Sequence, residues 1–436
     1  MTQTPWRILG GPLGAHTSPR ISSVAGWARL AVLLAAVPVL AALALRGWCL
    51  SNGFGGQAPL WRACYSDLPS ALVRVEAGDG AGEPIVTTFA LEAVAVLVRG
   101  TGAEAMSAYV VLWGLVALVC VAVLAVSVVA YRADAPDRAL MLVLSPVLPL
   151  ALLVSADVVG VTLAVLGLLM WQRRLDVPAG VLLALALFSR SYALVLVIVV
   201  VALALRTGRD PRRFLAGLAG GALLVVGLAA TRGLDTVTEA VRGWWESPPS
   251  YGSMWVLPHA GFAPIPAGLT PWLSIAGWVV AAVFVLWLAF RAPRAPDPAD
   301  LALLGMAVLL VTSTSVPVQA SLWLVPLVAL SSLPWRDMLI WAAAEALYYP
   351  MVWLYIGGLE QPDRGLPLGW YAVFVLLRLL AIAYLGFRVV RHSTRPAFPS
   401  PGENIEPDKT TGVMRSRPFS PQAGKSESAP VAGAAD

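Results

Sequence analysis

MSAYVVLWGLVALVCVAVLAVSVVA, residues 106–130, decides the fold class. The run carries no charge, and as a helix rising ~1.5 Å per residue it spans about 37 Å. That exceeds the ~30 Å hydrocarbon core of a bilayer. Apolar residues make up 58% of the 436 and charged residues 13%, about half the ~25% charge of a soluble domain. Together these read as an all-α, polytopic helical membrane protein. The formal charge of +5 does not point to nucleic acid, because the arginines sit mostly in short junctions between apolar runs, where positive charge sets topology.

Outward from 106–130, a first span is expected at 28–46. Later ones are expected near 139–154, 156–171, 178–188, 190–206, 214–231, 272–291, 300–314, 317–333, 338–356 and 368–389. Arginines cluster at alternate junctions: Arg132/Arg138, Arg173/Arg174, Arg206/Arg209/Arg212/Arg213, Arg291/Arg294, Arg336 and Arg388/Arg391/Arg395. With a cytoplasmic N-terminus every cluster falls inside, giving about twelve spans with both termini cytoplasmic. Several spans are short, and 178–206 can also be read as one bent helix, which gives ten or eleven as the alternative count. Ala42 and Ala44 imitate a signal-peptidase site, but the preceding segment is too long for a signal n-region, so the first span is read as retained.

This topology divides the chain into a cytoplasmic segment 1–27, a membrane domain 28–390 and a tail 391–436. The tail is rich in Ser, Pro and Gly, holds the only lysines, Lys409 and Lys425, and is expected to be disordered. Two outer loops emerge, 47–105 and 232–270. Trp48, Trp61, Trp272 and Trp370 fall near outer boundaries, where indole rings are favoured. The run 85–98 is too short to cross and is expected at the interface or re-entrant. Cys49 and Cys64 share the first outer loop, where an oxidising compartment permits a bridge; two free thiols are the alternative.

Within that loop stands Cys64-Tyr65-Ser66-Asp67, and Asp157 and Arg190 fall at helix junctions facing the same side. Taken singly, each has an ordinary reading. Asp67 precedes Leu68-Pro69 and suits the cap of a short helix with proline in its first turn. Asp157 suits a cap for the span it opens, and Arg190 suits a side chain snorkelling to headgroups. Ionisable groups within spans are nonetheless functional candidates, and three converging on one face point to a shared site. There is no phosphate-binding loop, nucleophile elbow or histidine pair at metal-ligand spacing, so no metal or cofactor is expected. His16, His259 and His392 lie far apart.

Cys64-Tyr65-Ser66-Asp67-Leu68-Pro69 followed by Glu83-Pro84-Ile85-Val86-Thr87 resembles the start of actinobacterial glycosyltransferase family 87 proteins. Similar too are Ser155-Ala156-Asp157, Gly167-Leu168-Leu169-Met170-Trp171, Ala179-Gly180-Val181-Leu182-Leu183, Phe188-Ser189-Arg190-Ser191-Tyr192 and Val318-Gln319-Ala320-Ser321-Leu322-Trp323. The likeness covers about residues 28–390. It departs from the family where Glu-Tyr-Pro becomes Glu83-Pro84, Asn-Trp-Asp becomes Ser155-Ala156-Asp157, and Lys-x-Tyr-Pro becomes Arg190-Ser191-Tyr192-Ala193; the acidic and basic positions remain.

The resemblance implies a GT-C fold and an inverting transfer of a hexose, mannose in the family, from a polyprenyl-phosphate donor to an envelope glycolipid or glycan at the extracytoplasmic face of the cell membrane. It implies Asp67 as general base. Arg190 and Tyr192 would serve the donor phosphate or sugar, and Asp157 would orient Arg190 or bind a sugar hydroxyl. Glu83, Gln319 and His259 complete the expected substrate-binding set. A lipid or solute transporter, or a catalytically inactive scaffold, are the alternatives from other classes.

The topology is testable by cysteine labelling. Ser250→Cys should react with an impermeant thiol reagent in intact cells while Gly208→Cys is protected. The reverse pattern overturns the orientation.

Overall fold

The computed structural model describes residues 23–78, 83–231, 248–256 and 265–394, a few residues between 233 and 246, and two short strands of the tail. Up to Thr394 the described residues form one helical unit. Its longer helices are α1 (Val24–Leu34), α2 (Ala36–Leu45), α3 (Leu68–Glu76), α4 (Ile85–Ala95), α5 (Gly102–Tyr131), α6 (Asp157–Gln172) and α7 (Asp176–Leu187). There follow α8 (Leu194–Thr207), α9 (Arg212–Ala230), α10 (Thr270–Arg291), α11 (Pro298–Thr312), α12 (Ser321–Leu330), α13 (Trp335–Glu360) and α14 (Leu368–Ser393).

Six helical stretches are long and apolar enough to cross a membrane: Val24–Leu45, α5, α9, α10, α13 and α14. Their outward faces carry exposed Leu33, Leu40, Leu223, Val283, Phe284 and Leu380, a surface that only an apolar solvent satisfies. The remaining apolar helices are shorter than a bilayer is thick. Where 139–154 was expected to cross as one span, it forms two five-residue helices, Ala139–Val143 and Val147–Ala151, broken at Ser145-Pro146. Proline there lacks an amide and cannot carry the helix on. The segment 178–206 is neither one helix nor a simple bend. α7 ends at Leu187, and α8 begins only after a 3₁₀ turn, Ser191–Ala193. α12, expected as the span 317–333, has all ten residues buried and lies inside the body rather than against lipid.

Helix breaks inside an apolar body strand backbone carbonyls that water cannot reach, and each must find a donor within the protein. Buried arginines supply several. Arg46 donates to the Ala42, Pro149 and Leu150 carbonyls at 3.1, 3.4 and 3.2 Å. Arg138, counted above as a loop cation, is buried and donates to the Val328 and Ala329 carbonyls in the last turn of α12 and to the Leu333 carbonyl beyond it. Arg378, midway along α14, pairs with Glu345 of α13 through Nε at 3.0 Å and donates to the Val316 and Pro317 carbonyls at 2.6 and 3.1 Å. The α7–α9 pair approaches closely because it is lined by small residues. A Cβ added at Gly180 would overlap the Phe214 carbonyl, and one at Gly217 the Val177 carbonyl.

The described residues between α2 and α5 are largely helical. Cys49 and Cys64 form a disulfide and both are buried. α14 continues to Ser393, past the expected start of the tail at 391. In the separate unit from Arg395 onward, the described residues are an antiparallel pair, Ile405–Pro407 with Met414–Ser416; the rest of the tail expected to be disordered lies outside the described residues, as do residues 1–22.

Removing one partner of a buried ion pair leaves the other charge uncompensated, at a cost of about 3–5 kcal/mol. Arg378→Ala should therefore lower the thermal unfolding midpoint of the detergent-solubilised protein clearly, and more than Arg388→Ala, whose partially exposed side chain pairs Asp337 at the end of α14.

Candidate functional site

Two helix breaks make the site, and the segment between α2 and α5 seals both. At the entry to α6 the Leu153 and Val154 carbonyls accept from Ser66 Oγ and from the Asp67 amide, each at 2.7 Å. At the break after α7 the Phe188 carbonyl accepts from the Val86 amide at 3.2 Å, and the Ser189 carbonyl from Thr87 Oγ1 at 3.0 Å. The same contacts carry Asp67 and Glu83 toward Asp157 and Arg190, which stand at those two breaks.

The ordinary readings of these residues do not hold. Asp67 occupies the N-cap position of α3, yet its side chain bonds no helix amide; its Oδ1 accepts from the Tyr65 hydroxyl at 2.8 Å. Asp157, the first residue of α6, accepts from Arg190 Nε at 2.8 Å, Ser155 Oγ at 3.0 Å and the Trp323 indole N–H at 3.3 Å. Arg190 does not reach for headgroups. It turns inward, bridging Asp157 and, through Nη1 at 2.6 Å, Glu83. Its Nη2 makes no hydrogen bond to protein among the described residues.

Burial separates the roles. The Asp157 side chain is 1% exposed, while Arg190 and Glu83 keep 23% and 20%, so the latter two are the more open members of the cluster. Two carboxylates, Glu83 and Asp157, contact a single guanidinium, and a third, Asp67, lies within range of its charge. Burial pushes the Glu83 carboxyl above its ordinary range, opposed by the Arg190 charge. Burial likewise pushes Asp67 up, opposed by the Tyr65 hydrogen bond and by Arg190 and reinforced by the negative charge of Asp157. Tyr65 is raised by burial and by Asp67, so it remains a hydrogen-bond donor.

Glu83, Asp157, Arg190, Tyr192 and Gln319 line one cavity of about 710 Å³, within the ~300–1,000 Å³ range of small-molecule sites. Tyr192 packs edge-on against Trp323 at 5.7 Å. Asp67 belongs to the electrostatic cluster but is not among the residues lining that cavity. His259 lies outside the described residues. Residues not singled out beforehand also take part: Tyr65 and Trp323, present in the motifs but without an assigned task, and Tyr251 and Tyr355 on the cavity wall. Nothing in the local pattern of the last two marks them, since they meet only through the fold. Among the described residues no group of three or more His, Cys, Asp or Glu is arranged to hold a metal ion.

No family model matches the chain, and no curated protein matches it significantly.

The raised Asp67 carboxyl is measurable with a hydrophobic carbodiimide, which modifies the protonated acid. Labelling should persist above the pH at which ordinary aspartates stop reacting, and fall as pH rises through the elevated pKa. Tyr65→Phe removes a hydrogen bond that favours the ionised form, so it should move the midpoint further up. An unchanged or lowered midpoint, read by peptide mass spectrometry, would contradict the geometry.

Proposed function

We propose that this protein is a membrane glycosyltransferase that moves a hexose from a polyprenyl-phosphate donor to an envelope glycolipid or glycan. On this reading the body is GT-C-like, with about twelve membrane passes counting the short buried helices, and the site faces the extracytoplasmic side. The observation that carries the proposal is the cluster of Asp67, Glu83 and Asp157 around Arg190, beside a cavity rich in hydroxyl and aromatic side chains. The Cys49–Cys64 disulfide in the same loop supports an oxidising, extracytoplasmic setting.

Inverting transfer needs three tasks performed. An acceptor hydroxyl attacks the anomeric carbon, the bond from that carbon to the donor phosphate oxygen breaks, and the hydroxyl proton passes to a base. Asp67 suits the base: one oxygen is held by Tyr65, the other is uncommitted, and its raised proton affinity favours uptake. Arg190 suits the leaving phosphate, since a guanidinium held on two sides keeps its charge and presents its remaining edge without reorganising. Asp157, nearly inaccessible, orients Arg190 in preference to touching sugar. The surplus of carboxylate over cation also favours a second reading, a proton-coupled transporter using the same cavity with no covalent step.

Purified protein with synthetic polyprenyl-phosphate-mannose and a panel of membrane acceptors separates these. Asp67→Asn should reduce turnover by about 10²–10⁴-fold with donor binding kept. Arg190→Ala should impair donor binding and turnover together. Full activity in Asp67→Asn removes it as the base. Donor binding by the wild type with no transfer to any acceptor favours an inactive scaffold, and solute flux in proteoliposomes without transfer favours the transporter.

A further inference from the structure

The cavity has a second polar region that the ionic cluster does not use. Its lining includes Ser250, Tyr251, Ser315, Gln319 and Tyr355, contributed by the segments 248–256 and 313–320 and by α13. The side-chain hydroxyls and amide of these five make no hydrogen bond to protein among the described residues. Polar groups that line a cavity and are not tied to protein are free to exchange water for ligand, and five hydroxyl and amide groups together suit a ligand with many hydroxyls.

Two rings shape the same wall. Tyr355 is stacked on Tyr371 with centroids 4.1 Å apart and planes 3° apart, so one face is covered. Tyr251 meets Tyr355 edge-on at 6.1 Å, forming an aromatic corner. The wall is held rigid from behind. The Ser250 amide donates to the Thr314 carbonyl at 2.9 Å and the Val316 amide to the Tyr251 carbonyl at 3.3 Å. The Gly252 amide donates to the Tyr371 hydroxyl at 2.9 Å, and Arg378 grips the Val316 and Pro317 carbonyls. Gly252 sits at φ +78°, and a Cβ there would overlap the Val316 carbonyl oxygen, so this junction admits no side chain. A buried ion pair is expensive to desolvate, and here it fixes the two segments that carry the open polar groups.

Size completes the picture. At water's ~30 Å³ per heavy atom, a twelve-atom hexose takes at most about 360 Å³, so a cavity of about 710 Å³ admits two rings. We infer that Tyr251, Tyr355, Gln319 and the adjacent serine hydroxyls form a saccharide subsite, so that the molecule meeting the donor's hexose presents a sugar ring rather than a bare lipid hydroxyl. This deepens the transferase reading and rests on it for the word acceptor. The subsite itself is a binding claim independent of any transfer.

The test is binding without donor. The full chain in nanodiscs is titrated with mannobiose, maltose, cellobiose and maltotriose, with mannitol as an acyclic polyol lacking a ring face, using saturation-transfer NMR. At least one disaccharide should bind, and more tightly than mannitol. Tyr355→Ala should weaken binding about tenfold through loss of the ring face, and Gln319→Ala measurably, with Tyr355→Phe intermediate. Gln319→Ala and Ser315→Ala remove no ring packing, so they keep the test valid if Tyr355→Ala does not fold. Absence of binding by every saccharide overturns the inference, as does binding undiminished in the Gln319 and Ser315 variants. Saccharide binding without any transfer would sink the enzyme reading and leave the subsite standing.

Discussion

An unsatisfied carbonyl in a dehydrated interior costs several kcal/mol, and this chain interrupts its helices repeatedly inside the apolar body. The architecture follows from how each interruption is repaired. At the 143–157 break, Arg46 takes the Pro149 and Leu150 carbonyls, and the loop carrying Asp67 takes Leu153 and Val154. After α7, the start of α4 takes Phe188 and Ser189. Beyond α11, Arg378 takes Val316 and Pro317. None of these donors is local in sequence to the carbonyl it serves, so the repairs tie distant segments together.

The site is a by-product of those repairs put to use. The segment between α2 and α5 docks on both breaks, supplying amides and hydroxyls, and docking delivers Asp67 and Glu83 to the residues that the breaks expose, Asp157 and Arg190. Burying three carboxylates around one guanidinium is costly, and the arrangement responds by raising the proton affinity of Asp67 and Glu83. A site in this state is suited to taking up a proton and to holding a cation in one orientation. Both properties follow from desolvation together with an unequal count of charges.

Arginine serves two separate purposes that its position in the chain does not distinguish. Arg173, Arg212 and Arg213 lie exposed at helix ends, as the arginine pattern of the sequence suggests. Arg46, Arg138 and Arg378 are buried and carry backbone carbonyls, because the guanidinium spreads five donors over several acceptors. Arg138 looked like a member of the first group and belongs to the second. Its surroundings show why: two carbonyls in the last turn of the buried α12 and one just beyond it lie within its reach.

What the sequence determined by itself was the solvent of the protein and the residues worth watching. The run 106–130 and the alternation of arginines are local patterns, and length and hydropathy act locally, so a helical membrane protein was legible without coordinates. Asp67, Asp157 and Arg190 were legible because ionisable groups are rare in such a chain. The span at 139–154 was misread as continuous because hydropathy reports affinity for lipid and is blind to whether carbonyls can be satisfied across a break. Tertiary structure alone decided that Asp67 and Asp157 are not helix caps, that Arg190 is held between two acids, and that Tyr251 and Tyr355 share a wall with Gln319. Each depends on which distant donor or ring occupies a given point in space, and hydrogen bonds and aromatic contacts of that kind leave no periodic trace along the chain.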